Sequence, residues 1–143
     1  LSYFEIELYN FSIDYFNKYL DDNNDSLALF YLARCYMEIN NPEKAISKLI
    51  KSYELGNNDN RIQYNLGLAY FQFEEYTKSA KVFKKILKSD YENPECQYYL
   101  GLCYVKLNKI KEAKKKLNIL YMLDINLHDS LQNKINVISS DYK

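Results

Sequence analysis

The sequence is poor in the residues that break helices and in those that most often carry catalysis. It holds 3 Gly and 2 Pro among 143 residues, which argues against a turn-rich β protein and favours helices. It has one histidine, no tryptophan and no apolar run near the roughly 18 residues that a membrane-spanning helix needs. No nucleophile motif, phosphate-binding loop or zinc-protease motif occurs, so we predict that the chain is not an enzyme.

The three cysteines do not form a metal or disulfide pattern. Cys35, Cys96 and Cys103 include no pair at the CxxC spacing, and only His128 could assist them as a ligand. Cys96 and Cys103 lie two helical turns apart, about 10 Å, which is too far for a disulfide. We interpret the cysteines as small buried residues and predict no metal and no cofactor.

The charge of the chain is balanced in total and uneven along its length. The formal net charge is +0, yet residues 1–25 hold six acidic side chains and one basic one. Residues 94–127 hold six basic and three acidic side chains. No signal peptide or lipidation motif is visible, so we expect a cytoplasmic protein. Because the chain begins at Leu1 rather than Met, we also expect its natural start to be missing.

One seven-residue pattern returns three times at even spacing. "FYLARCY" occupies residues 30–36, "YNLGLAY" residues 64–70 and "YYLGLCY" residues 98–104, so the copies are 34 residues apart. In each first helix, apolar residues follow at i, i+4 and i+7, which is one face of an α-helix. These core residues are Leu32, Tyr36 and Ile39; Leu66, Tyr70 and Phe73; and Leu100, Tyr104 and Leu107.

Small residues accompany this face and predict close packing of two helices. Ala33, Gly67 and Gly101 follow the first core leucine, and Gly costs about 1 kcal/mol in a helix interior relative to Ala. The second helices supply their own small residues at Ala45, Ser79 and Ala113. We predict that small faces small, so that each repeat packs as an antiparallel pair.

The repeat divides the whole chain into units of one domain, residues 1–143. Residues 26–59, 60–93 and 94–127 each predict a helix, a short turn and a second helix. Residues 9–20 have the pattern of another second helix, with the tail of a first helix at Tyr3, Phe4 and Ile6, which makes residues 1–25 a partial repeat. Leu131, Ile135 and Ile138 form one apolar face, which predicts a capping helix over residues 128–143.

This 34-residue unit, with L-G/A-x-x-Y in its first helix and A-x-x-x-F/L in its second, resembles the tetratricopeptide repeat (TPR). The resemblance implies an all-α, right-handed α-solenoid of antiparallel helix hairpins with a C-terminal capping helix. It also implies a concave groove that holds peptides of other proteins. The sequence departs from the family where an aromatic residue usually opens the first helix, at Leu29, Gln63 and Gln97.

A second face of each first helix is expected to line that groove. Its residues again follow at i, i+4 and i+7: Phe30, Arg34 and Met37; Tyr64, Leu68 and Phe71; and Tyr98, Leu102 and Val105, with Lys106 at the edge. Such a face suits an amphipathic helix or an extended apolar segment, with Tyr and Phe as rigid anchors. The strongest candidates for contact are Tyr64, Leu68, Phe71 and Tyr98. The candidates for polar contacts that fix the position of the bound segment are Arg34 and Lys106.

The resemblance also points to one class of TPR ligand for which this sequence lacks the family's binding residues. One TPR subclass grips the C-terminal carboxylate of chaperone tails with a clamp of Lys and Asn. The matching places here hold Phe30, Arg34, Leu68, Glu95 and Tyr99. We therefore expect a partner other than a chaperone tail of that kind.

Three alternatives to external binding in the groove stay open. The protein's own N-terminal segment could cover the groove. Self-association could use the exposed solenoid ends, with Tyr3, Phe4, Ile6 and Leu8 on the N-terminal flank. An anionic partner could bind a lysine ridge, although a solvated face is the commoner role of such a run, so nucleic acid is not expected. The lysine ridge comprises Lys81, Lys84, Lys85, Lys88, Lys114, Lys115 and Lys116.

Overall fold

The computed structural model describes residues 1–56 and 59–140, with side chains as far as residue 137. Within these residues there are eight α-helices and no strand. The helices are α1 Tyr3–Asp22, α2 Ser26–Glu38, α3 Pro42–Glu54, α4 Asn60–Gln72, α5 Tyr76–Ile86, α6 Pro94–Lys106, α7 Ile110–Leu123 and α8 Ile125–Ser140. The end of the predicted capping helix and the predicted packing of Ile138 lie outside the described residues, as do positions 57 and 58 of the first full repeat.

The chain forms two compact units, and the first comprises Leu1–Glu74. In it α2 and α3 form a helical hairpin, α1 packs on α2, and α4 packs on α3 and on part of α2. The core contains Leu32, Ala33 and Tyr36 of α2 together with Ala45 and Leu49 of α3. Leu32 and Tyr36 are therefore buried as the periodicity predicts, in one core with the small and large apolar residues of the second helix, while the third predicted core residue, Ile39, is half-buried.

The N-terminal helix differs from the prediction for residues 1–25. Tyr3–Asp22 is one continuous helix, so the predicted division into a first-helix tail and a separate second helix is wrong. Ser2 and Glu5 form a capping box, because the Ser2 hydroxyl accepts from the Glu5 amide while the Glu5 carboxylate accepts from the Ser2 amide. No Gly or Pro follows before residue 42 to interrupt the helix.

The second unit comprises Glu75–Lys143 and contains the second described hairpin. Here α6 and α7 pair, α5 packs on α6, and α8 packs on both α6 and α7. Leu131 and Ile135 of α8 are fully buried, which places the predicted apolar face of this helix in the core. The helix begins at Ile125 rather than at 128, because the Asp124 carboxylate accepts from the amides of the two residues after Ile125.

Gly101 makes room for a different neighbour than the sequence predicts. A Cβ built on it would lie 2.6 Å from Leu131 Cδ2 of α8, and 3.4 Å from Lys116 Cβ of α7. The tightest approach is thus to the helix that follows the hairpin, so the prediction of small facing small within the hairpin is wrong at this position. Ala113 is nevertheless fully buried, in keeping with its predicted place in the core.

The turns between first and second helices share a backbone feature that helical periodicity does not predict. Asn40, Glu74 and Asn108 have φ angles of 57°, 59° and 55°, and they are spaced by the 34-residue repeat. Each lies two residues after the end of a first helix and donates its amide to a carbonyl of the last turn. Asn tolerates this left-handed conformation, whereas a longer side chain such as Glu does not adopt it readily.

We predict that Glu74→Asn stabilises the protein by up to about 1 kcal/mol, because it relieves left-handed strain at one turn. The reverse change in the equivalent turn, Asn108→Glu, is the matched control and should destabilise by a similar amount. Urea unfolding followed by circular dichroism measures both. Equal stabilities of Glu74→Asn and the parent would contradict the role assigned to this turn.

Gly101→Leu should destabilise by about 1–3 kcal/mol or more, because Leu131 is fully buried and leaves no space for a second side chain. The double variant Gly101→Leu/Leu131→Ala should lose less than the sum of its single variants, since the new side chain fills the space that Leu131 leaves. Thermal unfolding of the four proteins tests this. Additive losses would show that the two positions do not meet.

Candidate functional site

The predicted contact residues of α2 lie in three different environments. Phe30 is buried, with 6% of its surface exposed, whereas Arg34 is exposed and Met37 is half-buried. The Phe30 ring lies against the start of α4, where it lines a void of about 10 Å³ with Asp59, Arg61 and Ile62. Of this trio, only Arg34 and Met37 present surface to a ligand.

The start of α4 is held by a local pair beside Phe30. The Asp59 carboxylate accepts from the Arg61 amide at 2.8 Å and from Arg61 Nε at 2.8 Å. These hydrogen bonds lower the pKa of Asp59, the side-chain bond from Arg61 having the largest effect. The Arg61 guanidinium is exposed but engaged with Asp59.

The predicted residues of α4 form the most complete apolar stripe. Tyr64, Leu68 and Phe71 are all half-buried. At about 100° per residue their positions fall within about 60° of the helix circumference. The stripe offers apolar surface on a fixed backbone.

The predicted residues of α6 are less accessible than those of α4. Val105 is buried, with 5% of its surface exposed, while Tyr98 and Leu102 are half-buried. The Tyr98 hydroxyl shares a hydrogen bond of 2.9 Å with Ser130 of α8. Lys106 is exposed, and its ammonium lies 5.9 Å from the centre of the Tyr76 ring, which is a cation–π contact.

In both units the first residue of the predicted stripe contacts the helix that begins the following repeat. Phe30 lies against Ile62 of α4, and Tyr98 bonds to Ser130 of α8. Tyr98 lies 68 residues after Phe30, and Ser130 lies 68 residues after Ile62, which in each case is two repeats. The stripe positions at residues 30 and 98 therefore serve helix packing at least as much as they offer a binding surface.

The lysine ridge is only partly a free charged surface. Lys81, Lys85 and Lys88 are exposed, but Lys84 places its ammonium 5.4 Å from the centre of the Tyr104 ring. Lys116 is half-buried and donates to Gln97 Oε1 at 3.0 Å. Burial lowers the pKa of Lys116, and the nearby Lys84 charge adds to the effect.

Gln97 explains one departure from the TPR pattern. It is fully buried where the family usually has an aromatic residue, and its Nε2 donates to the Tyr91 carbonyl at 2.7 Å. Its Oε1 accepts the bond from Lys116, so both ends of the amide are satisfied. A polar link between a turn, α6 and α7 takes the place of aromatic packing here.

The cysteines are buried free thiols, as interpreted from the sequence. Burial raises the pKa of Cys96 to about 12 and that of Cys103 to about 11. Cys103 also donates to the Ser79 hydroxyl at 3.3 Å. Thiols with a raised pKa are weak nucleophiles at neutral pH, so these residues contribute to the core rather than to a reactive site.

The described residues form neither a metal site nor a membrane-spanning helix. They contain no group of three or more His, Cys, Asp and Glu side chains placed to hold a metal ion. None of their helices has both the length and the apolar character to cross a bilayer.

Two open clefts that the sequence pattern does not predict lie between α1 and α2. They lie on either side of Phe16 and Tyr31, whose rings stack at 6.4 Å with an angle of 13° between them. The clefts measure about 200 and 230 Å³. The sequence carried one signal, since Tyr31 and Tyr99 are aromatic residues at the same repeat position. In the structure Tyr99 stacks on Phe83 as Tyr31 stacks on Phe16.

Comparisons with known proteins agree with the repeat and the fold. A tetratricopeptide-repeat family model matches residues 27–55, and the model of the anaphase-promoting complex, cyclosome, subunit 3 matches residues 51–118. No curated protein sequence gives a significant match to the chain.

Several solved structures share the fold at low sequence identity. MamA residues 41-end from Desulfovibrio magneticus RS-1 is 19% identical with a TM-score of 0.79, over 96% of this chain and 86% of that one. The first TPR of Spaghetti (RPAP3), bound to the HSP90 peptide SRMEEVD, is 17% identical with a TM-score of 0.70, over 82% and 96%. The second TPR domain of human RPAP3, in complex with the HSP70 peptide SGPTIEEVD, is 17% identical with a TM-score of 0.65, over 73% and 88%.

The repeated heptapeptide, the helical hairpins of both units and these matches lead to one conclusion. The chain is a tetratricopeptide-repeat protein with an all-α helical solenoid fold.

Proposed function

We propose that this chain is a non-catalytic scaffold that binds an apolar or amphipathic segment of another protein on its first helices. The observation that carries the proposal is the stripe of Tyr64, Leu68 and Phe71 on α4, which is apolar, half-buried and on one side of the helix. Apolar surface of this kind on a folded domain usually marks an interaction site.

The physical basis of the proposal is a preorganised apolar surface. Tyr and Phe supply large contact areas with few rotatable bonds, so binding costs little side-chain entropy. Tyr64 and Phe71 flank Leu68 on the same side of α4. An apolar segment that covers Leu68 between them gains the burial energy.

The structure changes the set of residues that we propose for contact. Phe30 and Val105 are buried, so we leave them out as direct contacts. Tyr98 has its hydroxyl engaged with Ser130, which leaves the ring as its contribution. Leu102 and Met37 remain as secondary apolar contacts, and a further pair of residues makes the polar contacts that fix the position of the bound segment. That exposed pair is Arg34 on α2 and Lys106 on α6.

The TPR domains of RPAP3 show that proteins with this fold hold peptides of HSP90 and HSP70. Our proposal differs in the chemistry of the ligand. Glu95 is an exposed acid at a place where the carboxylate clamp of the family has a residue that attracts the peptide terminus. An acid there disfavours a C-terminal carboxylate, so we propose an internal segment instead.

The lysine ridge carries less support as the functional surface. Lys84 and Lys116 are engaged with Tyr104 and Gln97, so the ridge has fewer free cations than the sequence suggests. Nucleic-acid binding relies on several cations that contact phosphates together, and Arg is nearly absent from the chain. We therefore propose a protein partner rather than an anionic polymer.

The proposal includes a cytoplasmic location. Its support is the state of the cysteines, since Cys35, Cys96 and Cys103 are all free thiols. Disulfides persist in oxidising compartments and are rare in the cytosol, so three unpaired cysteines suit a reducing environment.

Partner capture from a lysate of the source organism tests the proposal. Tyr64→Ala/Leu68→Ala should lose a partner that the parent retains, because loss of a central anchor costs about 2 kcal/mol or more, roughly 30-fold in affinity. Tyr91→Ala is the matched control, since it removes an exposed aromatic ring from a turn of the second unit. Circular dichroism must first show that all variants are folded. Identical captured proteins for the parent and the double variant would refute the α4 stripe as the site.

A further inference from the structure

Helices α5 and α7 of the unit Glu75–Lys143 carry a concentrated positive charge. Helix α5 holds four lysines and no acidic residue, and α7 holds four lysines and one glutamate. Helix α3, which has the same place in its repeat, holds three lysines and two glutamates, so a general richness in lysine does not explain the excess. The positive potential of α5 and α7 attracts anions to this unit.

The cations of α5 and α7 lie near one another across α6. Lys84 of α5 places its ammonium over the Tyr104 ring of α6, and Lys116 of α7 donates to Gln97 of the same helix. Burial lowers the pKa of Lys116, and the charge of Lys84 lowers it further, so the two ammonium groups sense each other. Neither contact removes a charge, because a ring and an amide are neutral partners.

One line of exposed residues runs along α7 opposite its buried residues Ala113, Leu117 and Leu120. Its members follow at i, i+4, i+7 and i+11, so they share one side of the helix. The side chain at its C-terminal end, Met122, is 80% exposed. We call this set the α7 outer stripe: Lys111, Lys115, Asn118 and Met122.

The repeat keeps these four positions exposed where further helices follow. The equivalent positions of α5 are exposed although α6, α7 and α8 follow, and those of α3 are exposed although α4 follows. Within the described residues α5 and α7 do not pack against each other. A further helix added by the same repeat would therefore leave the α7 outer stripe exposed. The equivalent residues are Thr77, Lys81, Lys84 and Lys88 on α5 and Glu43, Ser47, Ile50 and Glu54 on α3.

The two lysines of the α7 outer stripe, Lys111 and Lys115, are not neutralised by any carboxylate of the described residues. The cationic partners in the ion pairs found there are Arg61, Lys78 and His128. Glu112 is the single acid of α7; it lies off the stripe and forms no ion pair with it. The charge of the stripe is therefore available to a partner.

Acidic residues beside these helices argue for a short partner rather than an extended anionic surface. Asp90, Glu92 and Glu95 are exposed, and they follow Lys88 directly after the end of α5. A nucleic-acid duplex or an anionic membrane covers a wide area, so it would bring phosphates against these carboxylates as well as against the lysines. A short segment of a protein can lie along the lysines alone.

The spacing along α7 defines the pattern that such a segment needs. At about 1.5 Å per residue, Lys115 lies about 6 Å from Lys111 along the helix axis, and Met122 lies about 10 Å beyond Lys115. An extended chain advances about 3.3 Å per residue, so these distances correspond to steps of two and three residues. Acidic residues at i and i+2 and a large apolar residue at i+5 therefore match the stripe.

We propose that the α7 outer stripe docks an extended acidic segment of a partner protein, with acids at i and i+2 and a large apolar residue at i+5. Lys111 and Lys115 bind the two carboxylates, and the flexible Met122 side chain covers the apolar residue. Lys81 and Lys88 of α5 add to the attraction at longer range. This is a second docking surface, on a different helix from the α4 stripe.

Three synthetic peptides of about 12 residues provide the probe. The first carries Glu at i and i+2 and Leu at i+5, the second has Lys in place of both Glu residues, and the third keeps the composition of the first with the Leu moved to i+3. We expect the first peptide to bind at least about tenfold more tightly than the second, and more tightly than the third, in isothermal titration calorimetry. Its preference over the second should shrink at high salt, because exposed charges are screened.

Variants locate the binding on α7. Lys111→Glu/Lys115→Glu should abolish binding of the first peptide, and folding should survive since both residues are exposed. Lys18→Glu/Lys51→Glu makes the same change of net charge at exposed residues of the first unit, so it is the matched control and should bind within about twofold of the parent. Met122→Ser should weaken the first peptide about tenfold and remove its advantage over the third.

A further variant separates this surface from the α4 stripe. Tyr64→Ala/Leu68→Ala should bind the first peptide as the parent does, because neither residue belongs to α7. Loss of binding in this variant, with its fold confirmed by circular dichroism, would place the peptide on the α4 stripe and contradict the proposal.

Three other outcomes would overturn the proposal. One is that the folded parent binds the first peptide no more tightly than either of the other two, or does not bind it. The second is binding of the first peptide that survives Lys111→Glu/Lys115→Glu. The third is that duplex DNA, or vesicles containing phosphatidylserine, bind the parent more tightly than the first peptide and lose binding in the same variant, which would make an extended anionic surface the occupant.

Discussion

In both units, each helix buries an apolar face of a neighbouring helix that would otherwise be exposed to water. Most of the structure depends on this mutual burial. Tyr98 and Gly101 of α6 lie against Ser130 and Leu131 of α8, so the hairpin of α6 and α7 is completed by the helix that follows it. Phe30 of α2 is covered by the start of α4 in the same manner. A single helical hairpin is too thin to bury both of its sides, which is why repeat proteins are stable only as stacks.

The same constraint explains where binding surface is available. An apolar residue of a first helix keeps exposed surface only where neighbouring helices do not cover it completely, and Tyr64, Leu68 and Phe71 are half-buried. At the N-terminal end, α1 has the apolar face of a second helix, and no described helix covers that face. Stacking in such a fold therefore decides which apolar surface stays exposed on a fixed backbone.

Much of this could be predicted from the sequence because its signals are local and repeated. The 34-residue period, the i, i+4, i+7 spacing and the small residues predict the hairpins and much of the buried core without any knowledge of neighbours. The same spacing places Phe73 in the core, which is wrong, since this residue is 45% exposed. The neighbour of Gly101, the burial of Phe30 and Val105, and the inward direction of Lys116 could not be predicted in this way. They depend on contacts between residues distant in the chain, and helical periodicity does not say which faces the next helix covers.

The sequence by itself determined the fold class and its period, because burying one apolar face per helix admits few arrangements once the spacing repeats. It also determined the candidate stripes, since residues at i, i+4 and i+7 share a helix side whatever surrounds them. Only the tertiary structure decided which stripe residues are accessible, which cations are engaged, and that α1 is one continuous helix with an uncovered face. Accessibility is a property of the packed neighbours, and their identity is set by the fold rather than by the local pattern.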